Sequence, residues 1–235
     1  MADSPSRTPA DFFDERAAAA YDQRNSALKP ISDCLHFLMR MVLADMPEEA
    51  RVLCIGVGTG AEILVLAEAR PGWTFVGVDP APEMLEVAKT RLGDAGLLGR
   101  CRLVPGYVDG VRENGFDAAM ALLVAHFIQL TDRPAFYEAV LARLKPGGRF
   151  VSAEISCDLD SPEFPAMLKD WEQVQALMGA TEASLAALPD MLRSVLGVVT
   201  PAQTETLCRE AGFTSPITFF QASMIRGWHA RKPVR

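Results

Sequence analysis

The run from Arg51 to Glu62, RVLCIGVGTGAE, constrains the fold of this chain more than any other segment. Val52, Leu53, Cys54 and Ile55 are apolar throughout, as a parallel strand covered on both faces must be. Gly56, Val57, Gly58 and Gly60 follow at once, and the glycines let the backbone turn tightly and bring bare main chain against a ligand. A helix opening after such a turn presents unpaired N–H groups to whatever lies there. VGVDP at 76–80 then supplies a second strand that ends in Asp79, the distance from Gly60 being one helix plus one strand. A carboxylate at that strand end can accept hydrogen bonds from both hydroxyls of a ribose, so turn and acid together describe a pocket for an adenosine-bearing cofactor.

The pattern repeats along the chain. Strands are expected at 52–55, 74–78, 101–105, 116–122 and Arg149–Ile155, with helices over 60–70, from Pro82 through Arg91, and around Phe136, Val140 and Leu144. Thr131 and Asp132 are placed to cap that last helix, and Pro146-Gly147-Gly148 to end it. From Cys157 to about Val199 the strand signal lapses, and Met167, Leu168, Trp171, Val174, Leu177 and Met178 fall at helical spacing. Thr200-Pro201-Ala202-Gln203 reads as a capping-box start for a helix ending at Ala211-Gly212, and Ile217–Ala222 with Met224–Ala230 as a closing antiparallel hairpin. Before the first strand, residues 1–10 have a disordered composition, and 11–47 carry helical periodicity in two pieces broken at Pro30, with Phe12, Phe13 and Tyr21 in the first. These pieces either lie across the carboxyl edge of the sheet as a lid or pack on its side.

The expected fold class is therefore α/β: a Rossmann-like, mostly parallel seven-stranded sheet with helices on both faces, an N-terminal helical lid, and a helical insertion after the fifth strand. The segments are 1–47 for the tail and lid, 48–156 for the cofactor-binding core, 157–199 for the substrate-facing insertion, and 200–235 for the last helix and closing strands.

Composition narrows the function. A net charge of −7 argues against nucleic acid or an anionic membrane as the main partner, since phosphate binding needs a concentrated cationic face. The cluster Arg226, Arg231, Lys232 and Arg235 reads as a solvated tail. Five scattered cysteines and three histidines suggest neither a disulfide framework nor a metal site. With no export-like or membrane-spanning apolar stretch, the expectation is a cytoplasmic protein.

GVGTGA also satisfies the dinucleotide pattern, so the turn by itself leaves NAD and S-adenosylmethionine both open. Three features favour the latter. The glycines run G-x-G-x-G at 56, 58 and 60; a helix starts directly after Asp79 and brings Met84 near an adenine face; and LKPGGRF at 144–150 forms a two-glycine turn before the fifth strand. With VLCIGVGTG, FVGVDPAPEML, LVPGYVDG, FDAAMALLVAHFI, LKPGGRFV and AGF in hand, the chain resembles the class I S-adenosylmethionine-dependent methyltransferases from Phe12 to Lys232.

That resemblance implies particular roles. Gly56, Val57 and Gly58, with Gly60, would flank the methionine and ribose; Asp79 would hold the ribose hydroxyls; and Pro80 and Met84 would pack on the adenine. Tyr107 and Val108 would meet the adenine's polar edge, Leu122 and Leu123 would border the sulfonium, and Tyr21 would close over the methionine carboxylate. Two positions depart from the family pattern: Cys54 stands where an acid is usual near the end of the first strand, and Tyr107 where an acid usually follows Gly106.

Within the superfamily, FDERAAAAYDQR, AGFTSPITFFQ and the helical insertion are similar to the carboxy-S-adenosylmethionine synthase group. That group grips an extra carboxylate with an arginine ahead of a Met-Leu-x-x-Val run and a tyrosine early in the second N-terminal helix. Here the run Met191-Leu192-Arg193-Ser194-Val195 follows Pro189-Asp190 and the helix position is Ile31, so plain methyl transfer is favoured, with Arg193 as the one stand-in.

Methyl transfer needs in-line alignment and exclusion of water, and a base is optional. His126, four residues past Leu122, is the candidate catalytic base if its imidazole titrates near neutrality; His36 and His229 are weaker candidates. Phe127, Trp171, Phe219 and Phe220 suggest an apolar or aromatic small-molecule acceptor if they face the cleft. Rival readings are the synthase, an NAD-dependent oxidoreductase, and a non-catalytic cofactor-binding regulator. A homodimer that exchanges its N-terminal helices is possible on this sequence.

Overall fold

The computed structural model describes residues 15–234. The expected disordered tail at 1–10, and Phe12 and Phe13, lie outside the described residues. The chain begins with α1 (Glu15–Asn25) and α2 (Lys29–Val42) and then alternates β1 (Arg51–Ile55), α3 (Ala61–Ala69), β2 (Thr74–Asp79), α4 (Pro82–Asp94), β3 (Cys101–Pro105) and β4 (Phe116–Leu122). It continues with α5 (Arg133–Arg143), β5 (Leu144–Ile155), the insertion helices α6 (Phe164–Leu177), α7 (Glu182–Ala186) and α8 (Leu188–Asp190), then α9 (Pro201–Glu210), β6 (Ile217–Ala222) and β7 (Ile225–Arg231). All seven strands form one sheet in the order β3-β2-β1-β4-β5-β7-β6. Strands β1 to β5 run parallel, and β7 is antiparallel to both β5 and β6.

Alternation along the central strands divides two cores. Val52 and Cys54 of β1 and Ala118 and Met120 of β4 face one apolar cluster, while Leu53, Ile55, Ala119 and Ala121 face the other. Because both faces are dry, Val52–Ile55 of β1 and Ala118–Leu122 of β4 carry apolar side chains only, which is why they read as continuous apolar runs. Parallel strands joined by right-handed crossovers deliver every βα turn to one edge.

Several boundaries differ from expectation for physical reasons. The N-terminal break is a 3-10 turn at Ser26–Leu28, and Pro30 sits in the first turn of α2, where its missing N–H costs no helical bond. Asp132 is the N-cap of α5, but its side chain caps nothing; the hydroxyl of Thr131 is turned toward it instead. Strand β5 starts at Leu144, ahead of the Gly-Gly turn: Leu144 lies opposite Phe116 and Arg149 opposite Ala118, so Lys145–Gly148 bulges out of the ladder. Gly147 has φ +77°, and its N–H donates to the Lys232 carbonyl at 2.9 Å, so the terminal strand holds the bulge. The capping box at Thr200 and Gln203 forms in full.

Candidate active site at the carboxyl edge of the sheet

A cavity of about 1000 Å³ opens where β1, β2, β4 and β5 end, reached by Ile55, Asp79, Leu122 and Ile155. Among its walls are His126 and all the residues anticipated for the cofactor except Gly60. Gly60 has φ +80°, caps α3, and packs its bare Cα toward Ala88 and Leu92 of α4, so it serves helix packing and not a ligand. Gly56 does confront the cavity wall: a Cβ there would sit 2.4 Å from Val124 Cγ2, on a residue with φ +62°. A Cβ on Gly58 would meet Met84 Cε at 3.5 Å and fill the slot between turn and α4.

Asp79 is buried and already structural. One carboxylate oxygen accepts from the Gly58 N–H at 2.9 Å and the other from the Ala81 N–H at 2.9 Å. Burial raises its pKa, while these two backbone bonds pull it back down. Each oxygen keeps lone-pair capacity, so the group can tie the glycine turn to β2 and still accept a ribose diol. Pro80, Met84 and Val108 make the apolar side of this slot, and Tyr107, 52% exposed, stands at its rim. At the other end β4 runs out into Leu122 and Leu123; Leu123 adopts φ +59° and donates its N–H to the Ala153 carbonyl at 2.6 Å. A non-glycine residue held in the left-handed region needs a surround that enforces it, and here that residue shapes the cavity wall.

The two N-terminal helices do different things. Tyr21, Arg24 and Asn25 of α1 line the cavity, whereas Leu35 and Met39 of α2 pack into the main core and no residue of α2 reaches the cavity. A lash holds α1 in place: Asp22 accepts from the Thr59 hydroxyl at 2.9 Å and pairs with Arg91 at 2.8 Å, and Arg91 also donates to Thr59 Oγ1 at 2.6 Å. Tyr21 is pushed up to about 12, by burial first and then by the carboxyls of Glu62, Asp22 and Asp79.

His126 corrects an expectation. It is 4% exposed, and burial, with the Arg133 charge behind it, pushes its imidazole down to about 3, far from the near-neutral value a general base needs. Its Nδ1 accepts from the Ile155 N–H at 3.3 Å and its carbonyl from the Gly197 N–H at 2.7 Å. The side chain therefore lines the cavity as a neutral acceptor that joins the loop after β4 to β5. His36 and His229 sit away from the cavity walls, and both are lowered chiefly by burial. Of the four aromatics expected near the acceptor, Phe127 and Trp171 line the cavity, while Phe219 and Phe220 belong to the core.

Comparison with known proteins adds the chemistry this geometry anticipates. Residues 52–148 match the family described as "Methyltransferase domain". The chain is 24% identical over 210 residues to a carboxy-S-adenosyl-L-methionine synthase of Campylobacter fetus, covering 89% of each chain. It is 33% identical over 183 residues to a ubiquinone biosynthesis O-methyltransferase of Methylobacterium nodulans, covering 77% of this chain and 66% of that protein. Its fold resembles the crystal structure of a putative O-methyltransferase from Nostoc punctiforme, with a TM-score of 0.68 at 18% identity over 93% of this chain and 59% of the other. The chain belongs to the class I S-adenosylmethionine-dependent methyltransferase superfamily.

That membership decides between the two adenosine cofactors the glycine turn left open, in favour of S-adenosylmethionine, and the walls fit it. A methyltransferase of this class needs a diol acceptor, an apolar adenine slot and a polar end for an amino acid, and Asp79, Met84 with Val108, and the ionisable side chains Glu62 and Arg24 all line the cavity. Glu62, Arg24 and the Asp22–Thr59–Arg91 lash were not singled out from sequence. Glu62 follows the glycine motif by two residues, a signal that was available; Arg24 and Asp22 lie on a helix whose face toward the site only packing reveals. Among the described residues no helix is long and apolar enough to cross a membrane, and no cluster of His, Cys, Asp and Glu is arranged to hold a metal.

Proposed function

We propose that this methyltransferase transfers a methyl group to a small, predominantly apolar acceptor carrying one readily ionised or neutral nucleophilic atom. The observation that carries this reading is the far half of the cavity. Beyond Leu122 and Leu123 its wall is made by Phe127, Trp171, Met178, Leu188, Leu192 and Leu196, most of them from the insertion after β5. Polar character near these residues is limited to Gln129, Gln175 and the carboxylate of Asp132. Such a lining favours apolar surface and leaves a carboxylate-bearing acceptor without a cationic partner.

Bound S-adenosylmethionine supplies an electrophilic methyl carbon that needs no further activation. The protein's part is positional. The turn at Gly56 to Gly58 and Asp79 anchor one side, Leu122 and Leu123 confine the reacting region, and α1 with the insertion helices excludes water. His126 does not take the acceptor's proton near neutrality; it holds the wall in place and offers a hydrogen-bond acceptor to Ile155. For an acceptor such as a phenol, the O–CH3 bond would form as the S–CH3 bond breaks to leave the neutral thioether, and the hydroxyl proton would pass to solvent before attack, as the phenol enters the cavity.

Carboxy-S-adenosylmethionine synthesis fits the walls less well. Arg193, the one stand-in for a second carboxylate clamp, pairs with Asp160 at 2.9 Å, donates to the Leu159 carbonyl and lies 5.0 Å over the Phe164 ring, outside the cavity. Ile31 packs on the core. Incubation with methyl-labelled S-adenosylmethionine and a panel of phenolic and aliphatic acceptors tests the reading. Label is expected to move to apolar phenols and to be lost on Trp171→Ala with KM affected before kcat. Transfer only to anionic acceptors, or a carboxylated cofactor identified by mass in the purified protein, would overturn it.

A further inference from the structure

We propose that Glu62 is the counter-charge for the ammonium of the cofactor's methionine end, taking over from the strand position that Cys54 occupies. The inference rests on S-adenosylmethionine being the ligand, and it assigns a binding residue outside the glycine motif. The amino-acid end of that cofactor is a zwitterion, so the wall receiving it must offer an anion for the ammonium. Three carboxylates stand near the glycine turn. Asp79 takes two backbone N–H groups at the ribose end, and Asp22 is bound to Thr59 and Arg91. Glu62, in the first turn of α3, lines the cavity, and its one ion-pair contact among the described residues is His36 Nε2 at 4.0 Å. His36 is itself held toward its neutral form by burial, so it does not cancel the charge. Cys54 cannot supply an anion: it is buried and its thiol is pushed well above the ordinary range by burial and by Glu62 beside it. Arg24 and Tyr21 of α1 lie across the same end, where the carboxylate of the zwitterion would fall.

The charges around Glu62 explain why it would welcome a cation. It faces Tyr21 and Asp22 from α1, His36 from α2, Cys54 from β1, Asp79 from β2 and Arg91 from α4, and Arg24 of α1 shares the cavity wall with it. Burial pushes its carboxyl up to about 7; a hydrogen bond from its own backbone and Arg91 pull it down, and Asp22 and Asp79 push it further up. A bound ammonium stabilises the ionised form, so the free carboxyl releases its proton when the ligand binds near neutrality.

Titration calorimetry with S-adenosylhomocysteine and with 5′-methylthioadenosine, which shares the nucleoside and lacks the amino-acid end, tests this assignment. Glu62→Gln is expected to weaken S-adenosylhomocysteine by roughly tenfold or more, as loss of a charged hydrogen-bond partner does, and to leave methylthioadenosine within about twofold. In the unmodified protein the ratio of the two affinities is expected to fall about tenfold from pH 8 to pH 6, tracking protonation of a carboxyl near 7. The ratio cancels Asp79, which both ligands use. Equal weakening of both ligands, or a ratio flat with pH, overturns the assignment while leaving the cofactor reading standing. Failure of the unmodified protein to bind either nucleoside overturns both.

Discussion

Gly56 and His126 show how differently single residues declare themselves. The need for glycine at 56 is written into the motif, and the structure gives it a cause: positive φ and a wall atom 2.4 Å from where a Cβ would be. His126 lines the cavity, as its place after β4 suggests, but its basicity depends on desolvation and on Arg133, a residue fixed seven positions away by tertiary packing. The depressed imidazole has a consequence for acid stability. Between about 6.5 and 3 the unfolded chain binds a proton at this position and the folded chain does not, so the histidine contributes stability above that window that is lost as pH falls through it, by about 1.4 kcal/mol per pH unit. Glu62, raised to about 7, has the opposite sign: its contribution is full at acid pH and is lost as pH rises through 7. His126→Gln is therefore expected to flatten the loss of stability between pH 6 and pH 4, read by urea unfolding at each pH. An unchanged slope would remove the buried neutral imidazole from the account.

Among the elements, α1 is the one whose role sequence left undecided. Its apolar periodicity is that of any surface helix, and nothing local says whether it covers the carboxyl edge or the flank. Packing settles this through Asp22, Thr59 and Arg91, which join α1, the glycine turn and α4. The ion-pair partners Asp22 and Arg91 are partly exposed, so their pairing contributes little to global stability, of the order of 1 kcal/mol or less. Asp22→Ala is expected to leave the unfolding midpoint nearly unchanged, to raise amide exchange in α1 selectively, and to speed release of S-adenosylhomocysteine several-fold. Uniform exchange across α1 and α4 would show that α1 is held by other contacts. The insertion was legible as helical from Met167 to Met178 and was expected to face the substrate; which of its residues line the cavity, Trp171, Gln175, Met178, Leu188, Met191, Leu192 and Leu196, only packing reveals. The bulge at Lys145–Gly148 was read as a helix stop; only the pairing of Leu144 with Phe116 reveals it as an interruption inside β5.

Across the whole molecule, one buried network joins sheet, helices and insertion. Arg133, fully buried at the start of α5, pairs with Glu154 of β5 at 2.7 Å and donates to the Gly197 carbonyl at 2.5 Å, while Glu154 accepts from Thr204 of α9 at 2.8 Å. Gly197 is confined as well, since a Cβ there would lie 2.2 Å from the Ile128 carbonyl oxygen. This arrangement returns the insertion to the loop that carries His126 and so sets the far wall of the cavity. Glu154→Ala would strand a buried guanidinium and is expected to cost about 3–5 kcal/mol in urea unfolding. Replacing both partners, as Arg133→Met with Glu154→Leu, is expected to recover much of that loss in stability while widening the acceptor side, visible as a higher KM. A double variant no more stable than Glu154→Ala would show that the ion pair is not the source of the cost.

The sequence by itself determined the order of strands and helices, the class of fold, and the glycine turn and acid that meet at the cavity, because those depend on local rules: apolar runs for strands dry on both faces, glycines where main chain must come close, an acid where a strand ends. Tertiary structure alone decided that Glu62 joins the cavity wall, that the His126 imidazole is buried, and which helices line the cavity. Those properties come from burial and from charges brought together by residues as distant in the chain as Asp22 and Arg91 or Arg133 and Glu154, and no local pattern encodes them.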